Sequence, residues 1–298
     1  MRRVGSNTFV EIYYPGCNPG FVETSDGVVM IDTPQQPINA VCWRERIQSA
    51  GPIRYLINTE PHGDHTLGNR FFHGVTVVGH RSISSIFERY AERMRVNLQA
   101  NAPKDDPDSV WLWEHPDYQN VNRPTVLFDD ELTLHAGNHT FRCIHMPGHT
   151  APQTSVYIPE EGVVFTGDNI FYRCRSWLQE ADPWAWLNAL EAIERLDVET
   201  IVPGHGETCT KAYLKDQAEI IHRWLGEIGR LVDKGAEEDE VRAAGSVLID
   251  QIDPYPMGQR LDDWKPRVGP LNAVNLYRAI LERRMQDARP DGRTQSRS

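Results

Sequence analysis

The sequence predicts a layered α/β domain, and three observations carry that expectation. Short β-branched, apolar segments alternate with helical patterns along the 298 residues. No apolar run reaches the roughly 18 residues of a membrane span. Several of the strands end in glycine-containing turns that carry His or Asp. The length fits one α/β or sandwich-type domain with insertions better than two large domains.

The elements follow in order. Thr8–Tyr14 is β-rich, residues 15–20 form a Pro/Gly turn cluster, and Phe21–Glu23 and Gly27–Asp32 read as strands. Residues 38–50 space Val41, Trp43 and Ile47 for one helical face, and Gly51-Pro52 stops them. Ile53–Thr59 and Val75–Gly79 are strands. From Ser82, taken as the N-cap, a helix to about Ala100 places Ile83, Ile86, Phe87, Tyr90 and Met94 on one side. The Pro/Asp turn and the Trp111, Trp113, His115 and Tyr118 cluster follow it. Residues 82–123 therefore read as an insertion between strands, either a surface helix with a pinned loop or a lid over a site. Residues 126–128, 132–134 and 140–144 suggest a meander, and 154–158 with 162–166 a hairpin. Helices are expected at 184–196 and 213–234 around a short strand at 200–202. Residues 250–270 read as loop, 271–285 as a last helix, and the polar tail from about Asp287 as disordered. The implied organisation is a main domain over 1–235, a C-terminal helical extension over 236–286 packed on it, and a disordered tail over 287–298.

Charge excludes one class of function. With 31 Lys+Arg against 42 Asp+Glu the net charge is −11, and no basic stripe exists to neutralise phosphates, so a nucleic-acid partner is not expected. No membrane association is expected either. The five cysteines are scattered without a C-x-x-C pair, which argues against a disulfide framework or a Cys-ligated zinc site. The first residues are charged and lack the apolar run of a secretory signal, so a cytoplasmic location is expected.

The chemistry concentrates in Thr59-Glu60-Pro61-His62-Gly63-Asp64-His65, directly after an apolar strand. Two carboxylates and two imidazoles within six residues supply cation donors without long-range folding cost. Pro147-Gly148-His149-Thr150, Thr166-Gly167-Asp168 and Pro203-Gly204-His205-Gly206 each place one further donor at a strand end. Convergence of these turns on one edge would gather seven donors, Glu60, His62, Asp64, His65, His149, Asp168 and His205, too many for one zinc and suited to two cations. The other seven histidines read as surface or packing residues.

This ordered set resembles the metallo-β-lactamase superfamily of metallo-hydrolases, which carries H-x-H-x-D-H, then His in a G-H-T context, Asp in a G-D context and a late G-H. The similarity runs from about Thr8 to Leu231, and Asp32 matches an early supporting Asp. The resemblance implies an αββα four-layer sandwich and a dinuclear site of two divalent ions, zinc first, with manganese or iron as alternatives. It assigns His62 and His149 to one ion, Asp64, His65 and His205 to the other, and Asp168 to both. A water or hydroxide between the ions would be the nucleophile, with Asp64 orienting it. One departure stands out: the motif's first His is Glu60 here. With Glu60, Asp64 and Asp168 ionised, two divalent ions and one hydroxide leave no net charge, where the usual His would leave a positive one. Such a centre is a weaker Lewis acid and favours harder metals. The expected reaction is hydrolysis of an ester, lactone, thioester or β-lactam-type bond of a small molecule. A di-iron redox enzyme, or a hydrolase of phosphodiester or carbon–halogen bonds, is the alternative. Arg173 and Arg175 are expected to clamp an anionic substrate group, and Tyr172, Trp111 and Trp113 to form an apolar wall. The 15–20 turn is a candidate flap, and a homo-oligomer is possible.

Overall fold

In the computed structural model, residues 1–257 and 265–288 are described. Among the described residues the strands in chain order are β1 (Arg2–Arg3), β2 (Thr8–Val10), β3 (Gly20–Thr24), β4 (Gly27–Ile31), β5 (Ile53–Ile57), β6 (Thr76–His80), β7 (Val126–Phe128), β8 (Glu131–Ala136), β9 (His139–His145), β10 (Thr154–Ile158), β11 (Val163–Phe165), β12 (Phe171–Tyr172), β13 (Thr200–Val202) and β14 (His205–Gly206). The helices are α1 (Pro37–Gln48), α2 (Gly63–Thr66), α3 (Ile83–Asp105), α4 (Val110–Glu114), α5 (Pro183–Glu194), α6 (Leu214–Asp233), α7 (Glu238–Ile252) and α8 (Lys265–Asp287).

β1 to β7 form one sheet in sequence order, antiparallel as far as β4 and parallel from β4 to β7. The second sheet runs β13-β11-β10-β9-β8, with only β13 parallel to its neighbour. Alternation along each strand explains the layering. In β4, Val29 and Ile31 face the second sheet, where they meet Phe141, Val156 and Phe165. Val28 and Met30 of the same strand point outward against Ala40, Trp43 and Ile47 of α1. On the far side, Val164 and Ile201 lie under Trp186 of α5 and Ile221 and Trp224 of α6. The result is the expected αββα sandwich. Gly20 marks how tightly its halves meet, because a Cβ there would run into the Phe165 ring.

Several local expectations are corrected. The 126–144 segment is no meander: β7 completes the first sheet, while β8 and β9 open the second. Ser82 holds the expected N-cap position of α3 but makes no side-chain cap, since its hydroxyl instead contacts His80 Nδ1 at 2.7 Å. α5 starts one residue early because Asp182 accepts from Trp184 N–H and Ala185 N–H, each at 3.0 Å, with Pro183 at its first position.

The loop expected over 250–270 is broken by helix at both ends. α7 runs to Ile252 and α8 begins at Lys265. Residues 258–264 lie outside the described residues, as does the predicted tail from residue 289 on. α8 starts early because Val268, Ala273, Leu276 and Ile280 are buried with Val241 and Ile249 of α7 in the core beneath α5 and α6. Gly245 and Gly269 let the two backbones touch where these helices cross, since a Cβ on either would strike the other's carbonyl. Between β6 and β7, the expected insertion holds α3 and α4. Ile83 and Phe87 of α3 are fully buried.

Candidate metal centre

Every sequence-predicted donor leaves the carboxyl end of a strand. Asp32 follows β4, the Glu60–His65 segment follows β5, and His149, Asp168 and His205 follow β9, β11 and β13. Because the two sheets face each other, these turns meet at one edge of the sandwich. His62 precedes α2, whose single turn carries Asp64 and His65. Glycines permit the approach. Gly167 sits at φ +50°, and a Cβ on Gly204 would collide with Asp168 Oδ1.

The seven predicted donors fall into two groups, Glu60, His62, His149 and Asp168 in one and Asp64, His65 and His205 in the other, each with donor atoms within 4.8 Å of one another. Asp168 touches both. Its Oδ2 is 3.6 Å from His149 Nε2, while its Oδ1 is 3.2 Å from His65 Nε2 and 3.3 Å from His205 Nε2. Asp64 Oδ2 lies 3.2 Å from His205 Nε2. Glu60 is wholly buried, with Oε2 at 2.5 Å from His62 Nδ1 and 3.7 Å from His149 Nε2. Its Oε1 accepts the Asp168 backbone N–H at 3.1 Å.

Outer contacts decide which nitrogen each imidazole turns inward. Asp32 Oδ2 holds His65 Nδ1 at 2.9 Å and accepts the Thr59 hydroxyl, while Oδ1 of the same carboxylate accepts the Thr59 N–H. The Trp177 carbonyl holds His149 Nδ1 at 2.7 Å. Both leave Nε2 to the centre. Asp32 takes up this position at φ +53°, a left-handed conformation that a non-glycine residue seldom adopts.

The electrostatics match a site built for cations. Burial disfavours charge on His62 and His205, but the surrounding carboxylates outweigh it and raise both pKa values to about 10. His65 is raised well above its ordinary value against the same burial, by Glu60 first. Burial would raise Asp64, yet His65 and His205 hold it down at about 2, and Asp168 is likewise held low. Three buried donor atoms, Glu60 Oε2, His65 Nε2 and Asp168 Oδ1, meet other donors of the centre only in close contacts that are not aligned as hydrogen bonds. Buried polar atoms are normally paired, so inward-facing donors without such partners fit metal binding. The donor set is two imidazoles and two carboxylates around each half, with Asp168 shared, a set suited to borderline divalent ions.

Beside the His205 half lies a cleft of about 530 Å³ lined by Ile12, Tyr13, Tyr14, Asn18, Tyr172 and Arg173. Tyr172, Arg173 and the residue 15–20 turn thus border the centre. Arg175, Trp111 and Trp113 do not line this cleft. Arg175 is buried and tied to Asp250 and the Tyr255 carbonyl, because its loop packs under the C-terminal helices. Trp111 is 60% exposed on α4, whereas Trp113, on the opposite side of that helix, is buried with Leu67 and Ala102.

Sequence reasoning missed Glu180 and Tyr90. Glu180 Oε2 faces His62 Nε2 at 3.7 Å and accepts the Tyr90 hydroxyl, and the Tyr90 ring stands edge-on to His62 at 5.0 Å. The His62 contact, followed by Tyr90, holds the Glu180 carboxyl down at about 2. A lone Glu in a loop carries no motif that could have announced it.

The family model described as the metallo-beta-lactamase superfamily matches residues 14–205. A beta-lactamase-like protein 2 homolog from Caenorhabditis elegans is 24% identical over 224 residues, 75% of this chain and 63% of that protein. A hydroxyacylglutathione hydrolase from Bartonella quintana is 36% identical over 81 residues, 27% of this chain and 32% of that enzyme. An atrochrysone carboxyl ACP thioesterase from Aspergillus terreus is 24% identical over 167 residues, 53% of this chain and 51% of that enzyme. The chain thus spans less than two thirds of the length of these relatives. A metallo-beta-lactamase family protein from Thermus thermophilus superposes with a TM-score of 0.64 at 16% identity, covering 95% of this chain and 94% of that one. A family model matched over most of the chain, together with the shared sandwich, identifies this protein as a member of the metallo-beta-lactamase superfamily.

Proposed function

We propose that this chain is a metal-dependent hydrolase that cleaves a thioester or ester bond of a small molecule. The carrying observation is Asp168, whose two oxygens each face a different group of inward-turned donors. Relatives named as a hydroxyacylglutathione hydrolase and a carboxyl ACP thioesterase support the bond class. The residues that would hold two divalent ions, zinc first, are Glu60, His62, His149 and Asp168 on one side and Asp64, His65, His205 and Asp168 on the other. When bound, such ions lower the pKa of water toward neutrality and polarise a carbonyl oxygen.

The chain's own residues supply the rest. Asp64, half-buried at the rim between His65 and His205, orients the attacking water and receives its proton. Asp32 and the Trp177 carbonyl lock the ring orientations of His65 and His149. Tyr13, Tyr14 and Tyr172 form the walls that receive the acyl or leaving group, and Arg173, laid over the Tyr172 ring at 5.4 Å, offers a cation to an anionic end.

Metal analysis of purified protein with a panel of thioesters, esters and lactones tests this reading. Two ions per chain and chelator-sensitive thioester or ester hydrolysis are expected. Metal-bound protein inert on the whole panel would overturn the substrate class, and protein that takes up no divalent ion would overturn the mechanism. Recovery of iron or manganese in place of zinc would follow from Glu60, whose oxygen suits a harder ion.

A further inference from the structure

His62 is the one imidazole of its donor group that turns Nδ1 inward, toward Glu60 at 2.5 Å and His149 Nε2 at 3.2 Å. An imidazole presents the nitrogen that its outer partner leaves free. For His149 that partner is the Trp177 carbonyl. For His62 the group facing the outer nitrogen is Glu180. We propose that Glu180, held by Tyr90, is the positioning residue that fixes His62 and thereby sets the affinity of the Glu60–His62–His149–Asp168 group for its cation. This rests on the metal-dependent reading above.

Three independent features converge on this pair. Glu180 belongs to the loop between β12 and α5, whose backbone is fastened from the C-terminal side. Asp253 Oδ2 accepts Ser176 N–H at 2.7 Å, and Asn272 Oδ1 accepts Leu178 N–H at 2.7 Å. Asn275 Nδ2 donates to the carbonyls of Leu178 at 2.6 Å and Ala181 at 2.9 Å. The stretch that carries both the Trp177 carbonyl and Glu180 is therefore rigidly placed from residue 176 to 181.

Tyr90 arrives from the other direction, on α3 of the 82–123 insertion. That helix packs directly on the turn bearing His62, since a Cβ on Gly63 would collide with Met94. The Tyr90 hydroxyl and the His62 Nε2 address the same Glu180 oxygen, Oε2. An exposed glutamate with no role would sample many rotamers. This one is held by the Tyr90 hydroxyl, with the same oxygen facing the His62 imidazole at 3.7 Å. The insertion thereby contributes to the centre, because it brings the phenol that holds the carboxylate against His62.

Zinc titration against a chromophoric chelator, using full-length metal-stripped protein, tests the proposal. Wild type should show two binding steps. Glu180→Ala should weaken one step by about 10- to 100-fold and leave the other unchanged, which is the usual effect of losing an outer carboxylate. Glu180→Gln keeps an acceptor but loses the charge and should fall between. Tyr90→Phe, which preserves packing, should weaken the same step several-fold. The melting temperature of each stripped variant separates positioning from general damage, because damage would lower it and weaken both steps together. Two unaltered steps in folded Glu180→Ala and Tyr90→Phe would overturn the proposal and leave the hydrolase reading intact. Should Glu180→Ala fail to fold, unaltered steps in Glu180→Gln and Tyr90→Phe would overturn it equally. No zinc uptake by wild type would overturn both.

Discussion

Asp168 accepts contacts from both donor groups through different oxygens, so an amide at this position would present an N–H₂ to one of them. Asp168→Asn is expected to lower hydrolytic activity by more than the roughly 100-fold that loss of an outer contact costs, with metal content per chain reduced. Activity assay and metal analysis on the same sample check it. Glu60→Ala should likewise lose metal, and Glu60→His should retain two ions while restoring the positive charge of the usual motif. Protonation gives a second expectation at this scale. His62 and His205, held at about 10 in the metal-free chain against an ordinary 6.5, must each shed a proton to bind a cation. Their raised pKa values add stability that is complete below 6.5 and disappears as pH rises through about 10. The stripped protein should therefore melt lower at pH 10 than at pH 7. Zinc added at pH 8 in weak buffer should release at least two protons per chain, from His62 and His205, with a further contribution from His65, which is also raised. Zinc uptake with no acid release would contradict these assignments.

Turns rather than strands limit the architecture of the centre. A methyl at Gly204 would strike Asp168 Oδ1 and also the Gly167–Asp168 backbone, so Gly204→Ala should abolish cation binding and lower the melting temperature of the stripped protein as well. Asn272→Ala removes the bonds from α8 to Ser176 and Leu178 and should destabilise by about 1–3 kcal/mol in denaturant unfolding. At this scale the sequence is most readable where periodicity is strong. The β4 and β5 runs and the faces of α3 and α6 follow from apolar spacing, and the donor-bearing turns follow from Gly beside His or Asp. Sheet membership was not legible, because β7 and β8 are consecutive short strands joined by a tight turn and only long-range pairing separates them. The start of α8 was hidden by Pro270, a proline inside the helix whose local discouragement is overruled by burial of Val268 and Leu276 against α7. Arg175 near the Asp168 turn looked like a clamp, yet the chain sends Arg173 to the cleft and Arg175 into the core. Glu180 and Tyr90 lie in unremarkable surroundings 90 positions apart and meet only in the folded chain.

Across the whole molecule, the halves of the sandwich are joined at one end by Glu161, in the β10–β11 turn of the second sheet. It accepts Asn7 N–H at 2.7 Å and the Thr8 hydroxyl at 3.1 Å beside β2, and contacts His139 Nε2 at 2.9 Å. Burial would raise this carboxyl, but the bonds from Asn7, His139 and Thr8 hold it at about 2. Its stabilisation is present above an ordinary 4.5 and is lost as pH falls toward 2. Glu161→Gln should unfold more easily by about 1–3 kcal/mol at pH 7, and the gap from wild type should narrow at pH 3. Denaturant curves at both values decide this. The metal edge joins the same halves in another way. Glu60, His62, Asp64 and His65 hang from the first sheet, and His149, Asp168 and His205 from the second. An ion gripped from both sides acts as a rivet, and it is lost when the layers part. Heat resistance then becomes a gauge of occupancy: saturation a thousandfold above Kd adds about 4 kcal/mol, and chelation should return the protein to an earlier, protease-sensitive melt.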